Sequence, residues 1–252
     1  MRTKGLLRAT ALAAATVLFA PHAWAEGPSP SFFDPVVTTS PGISREVNVL
    51  LDHTRDSDRR LTFLSARLQY PVASWLQFSL EMPGFLDPSE GSPRVGAGDL
   101  SVGAQANVWT PRQWPAQVDV GLEVALPTGD RDVLAGSTTV HVFIAGGLNA
   151  GPIDLVANIS YAWGLTGSAQ DSQLFQASLA AGYRHRWLAP FVELVITQPV
   201  EGFDQRRPQV ALVPGIELYF PANLSLSVGV QLPVGSPRFF DQRVVAFFKW
   251  PF

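Results

Sequence analysis

The side chains that could do chemistry are few, and their spacing matches no common catalytic or metal-binding motif. The 252-residue sequence has no cysteine and four histidines: His22, His53, His141 and His185. It contains no HExxH, no histidine pair at metal-ligand spacing and no Gly-x-Ser-x-Gly. Cysteine nucleophiles, thiolate metal sites and disulfide scaffolds are excluded. We expect neither a metal ion nor a cofactor.

Charged residues are more informative, because single charges recur within otherwise apolar segments. Charged residues make up 15% of the chain, below the roughly 25% of an average soluble domain. By their position in the alternation described next, a set of polar side chains is predicted to face one shared interior. The set comprises Glu46, Arg67, Glu81, Asp99, Asp119, Glu123, His141, Asp154, Arg184, Glu193, Glu217, Arg243 and Lys249.

These side chains allow two interpretations. They can pair with one another and hold a hydrated interior open, or they can line a pore and set its selectivity. Acidic residues outnumber basic ones in the set, which favours cations or neutral solutes over anions.

The segments that carry these residues alternate between apolar and small polar positions. In residues 223–232, NLSLSVGVQL, every second residue is Leu or Val, and residues 117–126, QVDVGLEVAL, follow the same rule. A period of two predicts β-strands. Each run is about ten residues long, whereas soluble strands average five or six. A tilted strand that crosses a membrane needs about 9–11.

Length and alternation together predict a membrane protein. Lipid admits backbone only as helices or closed barrels, because each unpaired N–H or C=O group costs several kcal/mol there. No apolar run after the N-terminus approaches the roughly 18 residues of a membrane helix. The predicted fold class is therefore all-β: one antiparallel transmembrane β-barrel with both termini periplasmic. Its aliphatic face would meet the lipid bilayer and its polar face a lumen.

Twelve strands are predicted, with ten or fourteen as alternatives. Short connections rich in Pro, Asn or Gly alternate with longer polar ones, as periplasmic turns alternate with external loops in outer-membrane barrels. The barrel domain spans residues 43–252. The predicted strands cover residues 43–52, 60–70, 74–82, 98–109, 116–127, 138–149, 152–164, 172–187, 190–199, 208–220, 223–233 and 240–252.

The N-terminus is typical of a secretory signal peptide. A basic start, MRTKGLLR, precedes an apolar stretch over residues 9–20 and an Ala-Trp-Ala that ends at Ala25. We predict cleavage after Ala25 and a final location in the outer membrane of a Gram-negative bacterium. Loss of residues 1–25 leaves 15 Lys+Arg against 21 Asp+Glu, a net charge of −6, which argues against a nucleic-acid partner. The Pro-rich residues 26–42 would form a periplasmic lead-in or a plug.

Three functions are compatible with such a barrel. The first is passage of a small solute, the second a structural barrel with a closed lumen, and the third lipid hydrolysis. A hydrolase needs a serine and a histidine together. Ser178 and His185 are seven residues apart on one predicted strand, so an odd separation places them on opposite faces. We therefore predict a channel rather than an enzyme.

Three stretches carry a family resemblance: GAGDLSVGAQANVW at 96–109, VALPTGDRDVLAGST at 124–138 and the Gly-rich residues 143–164. They resemble the outer-membrane β-barrel transporters named after the meta-cleavage pathway of phenol degradation. The resemblance implies an outer-membrane channel for small, often aromatic or hydrophobic compounds. Many members of that family have a Lys-Tyr pair where this chain has Gln105-Ala106.

The LPTGD element that ends at Asp130 reads as an exit from a strand into an external loop. Pro127 cannot donate to the ladder, and Gly129 permits a tight turn. We expect Asp130 to cap this turn or to bind an external cation. We expect Asp99 to pair with Arg94 or Arg131 at the outer mouth.

The chain ends on VVAFFKWPF, with aromatic residues at Phe248, Trp250 and Phe252. The three share one phase, which would face lipid, while Lys249 faces inward. A terminal Phe preceded by aromatics at alternate positions resembles the signal that the outer-membrane insertion machinery recognises in a last strand. We therefore predict this machinery as a partner, beside the bilayer and a small-molecule solute.

Overall fold

The computed structural model describes residues 32–56, 60–87, 94–129, 136–167, 170–201 and 207–252. The backbone there forms extended strands and one 3₁₀ turn, Pro221–Asn223. The strands are β1 (Glu46–Arg55), β2 (Arg60–Ala73), β3 (Leu76–Asp87), β4 (Arg94–Ala97), β5 (Ser101–Trp109), β6 (Ala116–Ala125), β7 (Thr139–Ala150), β8 (Ile153–Gly164), β9 (Gln173–Tyr183), β10 (Leu188–Glu201), β11 (Gln209–Tyr219), β12 (Ser225–Val234) and β13 (Gln242–Pro251). Nowhere in these ranges is there a helix long and apolar enough to cross a membrane.

The strands close into a barrel. Each pairs antiparallel with its neighbours, and β1 pairs with both β2 and β13. The closing register runs from Glu46 opposite Pro251 to Arg55 opposite Gln242. Segments β4 and β5 both pair with β3 and follow one another along it, so they share one position. The predicted fold of a single twelve-stranded antiparallel barrel is confirmed.

Alternation along each strand separates an inner from an outer face. In β8, Asp154 and Asn158 are buried, whereas Leu155 and Ile159 are exposed. Successive side chains of a strand point to opposite faces, so closing the sheet puts the polar phase inside. The period-two pattern of the sequence thus determines which residues can meet in the interior.

The outer face carries a broad band of exposed aliphatic and aromatic side chains. Soluble monomers rarely expose a continuous apolar patch above a few hundred Å². This band extends around the barrel, as expected for a surface that meets lipid. Its members include Leu51, Leu64, Phe78, Leu122, Ile144, Ile159, Leu179, Val192, Leu212 and Leu232.

Most strand boundaries differ from the prediction by one to three residues, and two differ by more. The predicted strand 172–187 ends at Tyr183, and β10 begins at Leu188. Between them, His185 and Leu188 exchange backbone hydrogen bonds of 2.8 and 2.7 Å, and Arg186 has φ of 38°. A non-glycine residue in the left-handed region leaves no pattern in the sequence, which explains the error.

The second difference lies at residues 83–98, which were predicted as a loop. Here β3 continues to Asp87 and pairs with β4 through residues 84–87. This hairpin extends the wall beyond β5. The Pro and Gly residues of this stretch suggested a loop. Proline lacks the backbone N–H but retains its carbonyl, and the Pro83 carbonyl accepts a hydrogen bond from the N–H of Gly98 at 2.7 Å.

Residues 32–45 precede β1 and form no strand. Phe33 in this segment is fully buried and packs with Phe191 of β10, with ring centroids 5.4 Å apart. The segment therefore runs inside the barrel rather than along its rim. Its contacts with the wall make up the candidate site.

Candidate functional site

The interior holds a set of buried carboxylates whose partners are backbone N–H groups of residues 32–45, here called the N-terminal segment. Glu193, on the inward phase of β10, is 0% exposed. Its Oε1 accepts from the N–H of Val36 at 2.8 Å, and its Oε2 accepts from the N–H and hydroxyl of Thr38 at 2.7 and 2.8 Å. The N–H of Val37 donates to Oε2 at 3.2 Å. Charge-assisted bonds of this kind are short and strong, so one side chain fixes three consecutive residues.

Three further carboxylates hold the rest of the segment. Asp154 accepts from the N–H of Phe33 at 3.2 Å, and Glu217 from that of Asp34 at 2.9 Å. Asp119 accepts from Gly42 at 2.8 Å. Four strands within one half of the barrel, β6, β8, β10 and β11, thus supply one acid each. Satisfied backbone donors explain how a segment without strand pairing stays buried.

Aromatic rings anchor the start of the segment where the wall lacks side chains. A Cβ added at Gly147 would lie 2.6 Å from ring atoms of Phe32, and one at Gly182 would lie 2.9 Å from Phe33. Real Cβ contacts are never so short. The inward glycines therefore provide the space that the two phenylalanines occupy.

A lysine of the last strand completes this attachment. Lys249 Nζ lies 2.8 Å from Asp34 Oδ2 and 3.5 Å from Glu46 Oε2. Ser227 donates its hydroxyl to the carbonyl of Asp34 at 2.6 Å. Strands β12 and β13 therefore bind the same residue of the N-terminal segment.

The remaining predicted side chains form separate polar groups on the wall. Arg67 forms ion pairs with Glu81 and, at 2.9 Å, with Glu123. His141 lies opposite Glu123 in the ladder and stacks against Phe143, with centroids 5.8 Å apart. Among the described residues, Arg67 donates to these two acids and not to the N-terminal segment.

Two arginines form further pairs. Arg184, just after β9, lies 2.8 Å from Asp154 Oδ1. Arg243 of β13 pairs with Asp52 of β1 and donates to Gln231 at 3.3 Å. Several of these pairs link neighbouring strands, and the Arg243–Asp52 pair spans the closing seam.

A cavity of about 410 Å³ remains between the N-terminal segment and the wall. Glu46, Asn48 and Arg67 line it together with apolar Leu50 and Phe247. A volume of this size falls within the range of small-molecule sites.

Asp99 lies apart from these groups, between β4 and β5 at the loop end of the barrel. Its carboxylate accepts from the N–H groups of Gly129 at 2.9 Å, Gly136 at 2.9 Å and Ser137 at 3.0 Å. The GDL and LPTGD motifs are therefore in direct contact. The expected partner Arg131 and the cap Asp130 lie outside the described residues, as does the side chain of Arg94.

Partial burial of Asp99 opposes ionisation, but the N–H groups of Gly136, Gly129 and Ser137 more than offset it. The pKa of the Asp99 carboxyl is consequently held below its ordinary value. Hydrogen bonds to a charged form favour that form.

Sequence reasoning missed several interior partners. Asp34 lies in the predicted lead-in or plug, for which no contact with the wall is predicted. Asp52 ends a predicted strand, and no partner is predicted for it. Asp52 does share the phase of Glu46 and Asn48, which could have identified it. The amides of Gln77, Gln105 and Gln117, all buried, gave no signal beyond their phase.

The described parts of the chain show no metal cluster, and they separate Ser178 from His185. Within those ranges no three His, Asp or Glu side chains are grouped to hold a metal. Ser178 is buried on β9, and His185 lies in the turn that follows. The sequence analysis placed both on one strand, but β9 ends at Tyr183, so only Ser178 lies on it, and its hydroxyl has no hydrogen-bond partner among the described residues.

The closed barrel, its apolar outer band and its polar interior define a transmembrane β-barrel of the outer-membrane type. Over residues 39–247 the sequence matches the family described as "Putative MetA-pathway of phenol degradation". The chain belongs to this family, which confirms the resemblance of the GDL and LPTGD motifs. Among curated proteins, no sequence matches it.

Solved structures show the same fold. The COG4313 outer membrane channel from Pseudomonas putida F1 is similar with a TM-score of 0.64 at 15% identity, covering 87% of this chain and 100% of that one. The KdgM porin, solved in complex with disordered oligogalacturonate, has a TM-score of 0.56 at 11% identity, covering 81% and 99%. LpxR from Salmonella typhimurium has a TM-score of 0.52 at 9% identity, covering 82% and 100%.

Proposed function

We propose that this protein is an outer-membrane channel for small solutes, in which the N-terminal segment is a plug. The observation that carries the proposal is the way the segment is held. It is bound by side chains of the wall, chiefly the carboxylates of Glu193, Glu217, Asp154 and Asp119, and by no strand pairing. Such bonds can be broken without opening the barrel, whose wall is closed by its own ladders.

Two observations support passage of small solutes and indicate their chemical class. The similarity to an outer membrane channel and to a porin supports passage of solutes, and the family description points to small aromatic or hydrophobic compounds. Nine of the thirteen predicted lumen residues would serve either the plug or the remaining passage. In this proposal Asp119, Asp154, Glu193, Glu217 and Lys249 hold the plug, while Arg67, Glu81, Glu123 and His141 line the passage.

The proposal extends to location. A barrel with an apolar belt and a leader resembling a signal peptide suits the bacterial outer membrane. We propose cleavage after Ala25, periplasmic termini, and therefore a plug that enters from the periplasmic end. Mass spectrometry of the membrane-inserted protein should give a chain that begins at Glu26.

Single-channel recording tests the function. The mature protein and a variant lacking residues 32–42 are inserted separately into planar bilayers. We expect small or intermittent conductance for the first and a larger, stable conductance for the second. Liposome swelling with solutes of increasing size should give the same order.

A structural barrel with a closed lumen is the second candidate, because the N-terminal segment lies inside the barrel, where Phe33 is fully buried. Absence of conductance in both proteins, with heat-modifiable migration showing that both are folded, would support it over the channel. A conductance that does not change on deletion would support the channel and contradict the proposal that the N-terminal segment is a plug.

A further inference from the structure

One arginine lies on the outer face of the wall, at the end of the barrel where the chain enters β1. Arg45 directly precedes Glu46, which is buried on the inward phase, and successive residues of an extended chain point to opposite faces. The Arg45 side chain is accordingly exposed. Its backbone belongs to the closing seam, because its carbonyl accepts from the N–H of Phe252 at 3.2 Å. A charged side chain is thus presented on the face that carries the apolar band.

Two aromatic rings flank this side chain. The registers of β1 with β2 and with β13 place Arg45 between Tyr70 and Phe252, both on the outward phase. The Arg45 guanidinium carbon lies 5.1 Å from the centroid of the Tyr70 ring and 4.8 Å from that of the Phe252 ring. Both distances are within the range of cation–π contacts. Such contacts hold the guanidinium in place but supply no acceptor to its N–H groups.

Within the described ranges, no acid of the protein neutralises Arg45. Its guanidinium takes part in none of the ion pairs that join the other basic side chains to their acids. The adjacent acid, Glu46, points inward, where its carboxylate lies 3.5 Å from Lys249 Nζ. A charge on the lipid-facing side of a membrane protein is costly unless it is paired. The counterion of Arg45 therefore has to come from outside the protein.

The surroundings of Arg45 indicate that this counterion belongs to a lipid. Phe78 lies beside Tyr70 in the ladder, and Trp250 is the outward residue that precedes Phe252 on β13. All four rings are exposed. Aromatic side chains collect at the level where hydrocarbon meets the headgroups. An anionic group at this level would lie beside Arg45 while its acyl chains cover the rings and the apolar band.

The connections at this end of the barrel indicate the leaflet. Strands β2 and β3 are joined here by two residues, Ser74 and Trp75, and β7 and β8 by Gly151 and Pro152. Short connections lie on the periplasmic side of outer-membrane barrels. The lipid that meets this end is then the inner leaflet, whose glycerophospholipids carry a phosphate in the headgroup.

We propose that Arg45, held between Tyr70 and Phe252, binds the phosphate of a glycerophospholipid in the inner leaflet of the outer membrane. The planar guanidinium can donate two parallel hydrogen bonds to phosphate oxygens. The inference rests on the proposed outer-membrane location for the choice of leaflet. It does not depend on transport, and lipid binding is measured separately from conductance.

Native mass spectrometry of the full mature protein in detergent micelles tests the site, with dioleoylphosphatidylglycerol as the probe. Dioleoylglycerol is the matched ligand, because it has the same acyl chains without the phosphate. Dioleoylphosphatidylethanolamine keeps the phosphate without the net charge. We expect saturable binding of both phospholipids and only weak, unsaturable binding of dioleoylglycerol. Inorganic phosphate in large excess should not displace the lipid, because it lacks the acyl chains.

Substitutions locate the binding. Arg45→Gln removes the guanidinium but keeps the carbonyl that accepts from Phe252. It should weaken phospholipid binding at least about tenfold, the effect of losing one hydrogen bond to a charged group. Arg186→Gln is the control, because it makes the same change at an exposed arginine in the turn between β9 and β10, at the same end of the barrel. Heat-modifiable migration shows that both variants are folded.

Three results would overturn the inference. The first is that the phospholipids bind no better than dioleoylglycerol, and the second is that inorganic phosphate displaces them, which would indicate a site for a free anion. The third is that Arg45→Gln and Arg186→Gln have equal effects, which would indicate general attraction to basic residues at the rim. Specific lipid binding without conductance would support the site and contradict the proposed channel. Conductance without specific lipid binding would contradict the site alone.

Discussion

Glu193 Oε2 accepts two hydrogen bonds from Thr38, one from its N–H at 2.7 Å and one from its hydroxyl at 2.8 Å. The residues are 155 positions apart in the chain, so the contact exists only in the closed barrel. Because the acid is fully buried, its charge is compensated mainly by this segment. If the N-terminal segment leaves the barrel, the buried Glu193 carboxylate loses its hydrogen-bond donors. The position of the segment is therefore energetically coupled to this residue of the wall.

Glu193→Gln should therefore loosen the plug. The amide keeps one oxygen but presents an NH₂ group to backbone donors, and each charged hydrogen bond lost costs about 1.5–3 kcal/mol. The native chain has no cysteine, so Thr39→Cys gives a unique labelling site. We expect a membrane-impermeant maleimide to label it about tenfold faster or more in the Glu193→Gln background.

Glu201→Gln provides the control for this labelling experiment. Glu201 lies on the same strand but is exposed and accepts from Gln173 at 2.8 Å. Equal labelling in the two backgrounds would show that Glu193 does not retain the segment.

The contact of Asp99 with the loop between β6 and β7 predicts protection of that loop. Asp99→Asn replaces one carboxylate oxygen by a donor that faces the N–H of Gly136 or Ser137. Trypsin should then cleave at Arg131 several-fold faster in membrane-inserted protein. Asp171→Asn, in the loop between β8 and β9, is the matched substitution and should leave the rate unchanged. An unchanged rate in Asp99→Asn would contradict a holding role.

The same contact predicts a pH dependence. The pKa of Asp99 is lowered by N–H donors, so its stabilising effect is present in full above the ordinary aspartate pKa. It is lost as the pH falls through the lowered value. The amide resonances of Gly129 and Gly136, followed by NMR in micelles, should titrate below the ordinary aspartate range.

The Asp99→Asn protein is the reference for this titration, since it lacks the titrating group. A midpoint at or above the ordinary value would mean that the N–H groups do not bind the carboxylate in solution.

The sequence predicts the wall well and the interior incompletely, and the residues show why. Strands such as β12 are encoded locally, since Ser225–Val234 alternates over its whole length and alternation requires no knowledge of other strands. The Glu193–Thr38 bonds depend on closure of β1 against β13, which no local pattern describes. Phase identified Glu193 as inward but could not identify what it binds.

The two sequence motifs were likewise recognisable, whereas the contact between them was not. GDL and LPTGD were each visible, yet the bond from Gly129 to Asp99 joins residues 30 positions apart. It depends on β5 and β6 being neighbours in register, with Ser101 opposite Ala125. The expected arginine partners lie outside the described side chains and stay a prediction. The carboxylate also binds backbone donors, which every residue except proline carries and which a search for opposite charges does not find.

The C-terminal residue predicts an assembly defect. Phe252 donates its N–H to the carbonyl of Arg45 at 3.2 Å, and the Arg45 guanidinium lies 4.8 Å from its ring centroid. Deletion of Phe252 should lower the yield of heat-modifiable, membrane-inserted protein several-fold, because it removes the last contacts between the C-terminus and the chain that leads into β1. Conductance of the protein that does insert should be unchanged.

Phe239→Ala is the control for yield, since Phe239 is an exposed aromatic before β13. If deletion of Phe252 and Phe239→Ala give the same yield as the unchanged protein, the terminal aromatic residue is an ordinary interface residue and carries no assembly signal.

Two adjacent glycines of β7 give the sharpest test of the plug. A Cβ at Gly147 would lie 2.6 Å from the Phe32 ring, whereas one at Gly146 would have no heavy atom closer than 3.9 Å. Gly147→Ala must therefore displace the ring, and overpacking of this kind costs about 1–3 kcal/mol. Gly146→Ala makes the same chemical change on the opposite face of the strand.

In the Thr39→Cys background, Gly147→Ala should raise maleimide labelling by about fivefold or more and increase single-channel conductance. Gly146→Ala should change neither. Both variants lose the same glycine flexibility in the same strand. An equal effect on labelling and conductance would therefore mean that the altered strand, and not the displaced Phe32 ring, is the cause. An effect of Gly147→Ala alone would trace it to the space that Phe32 occupies, and hence to the N-terminal segment.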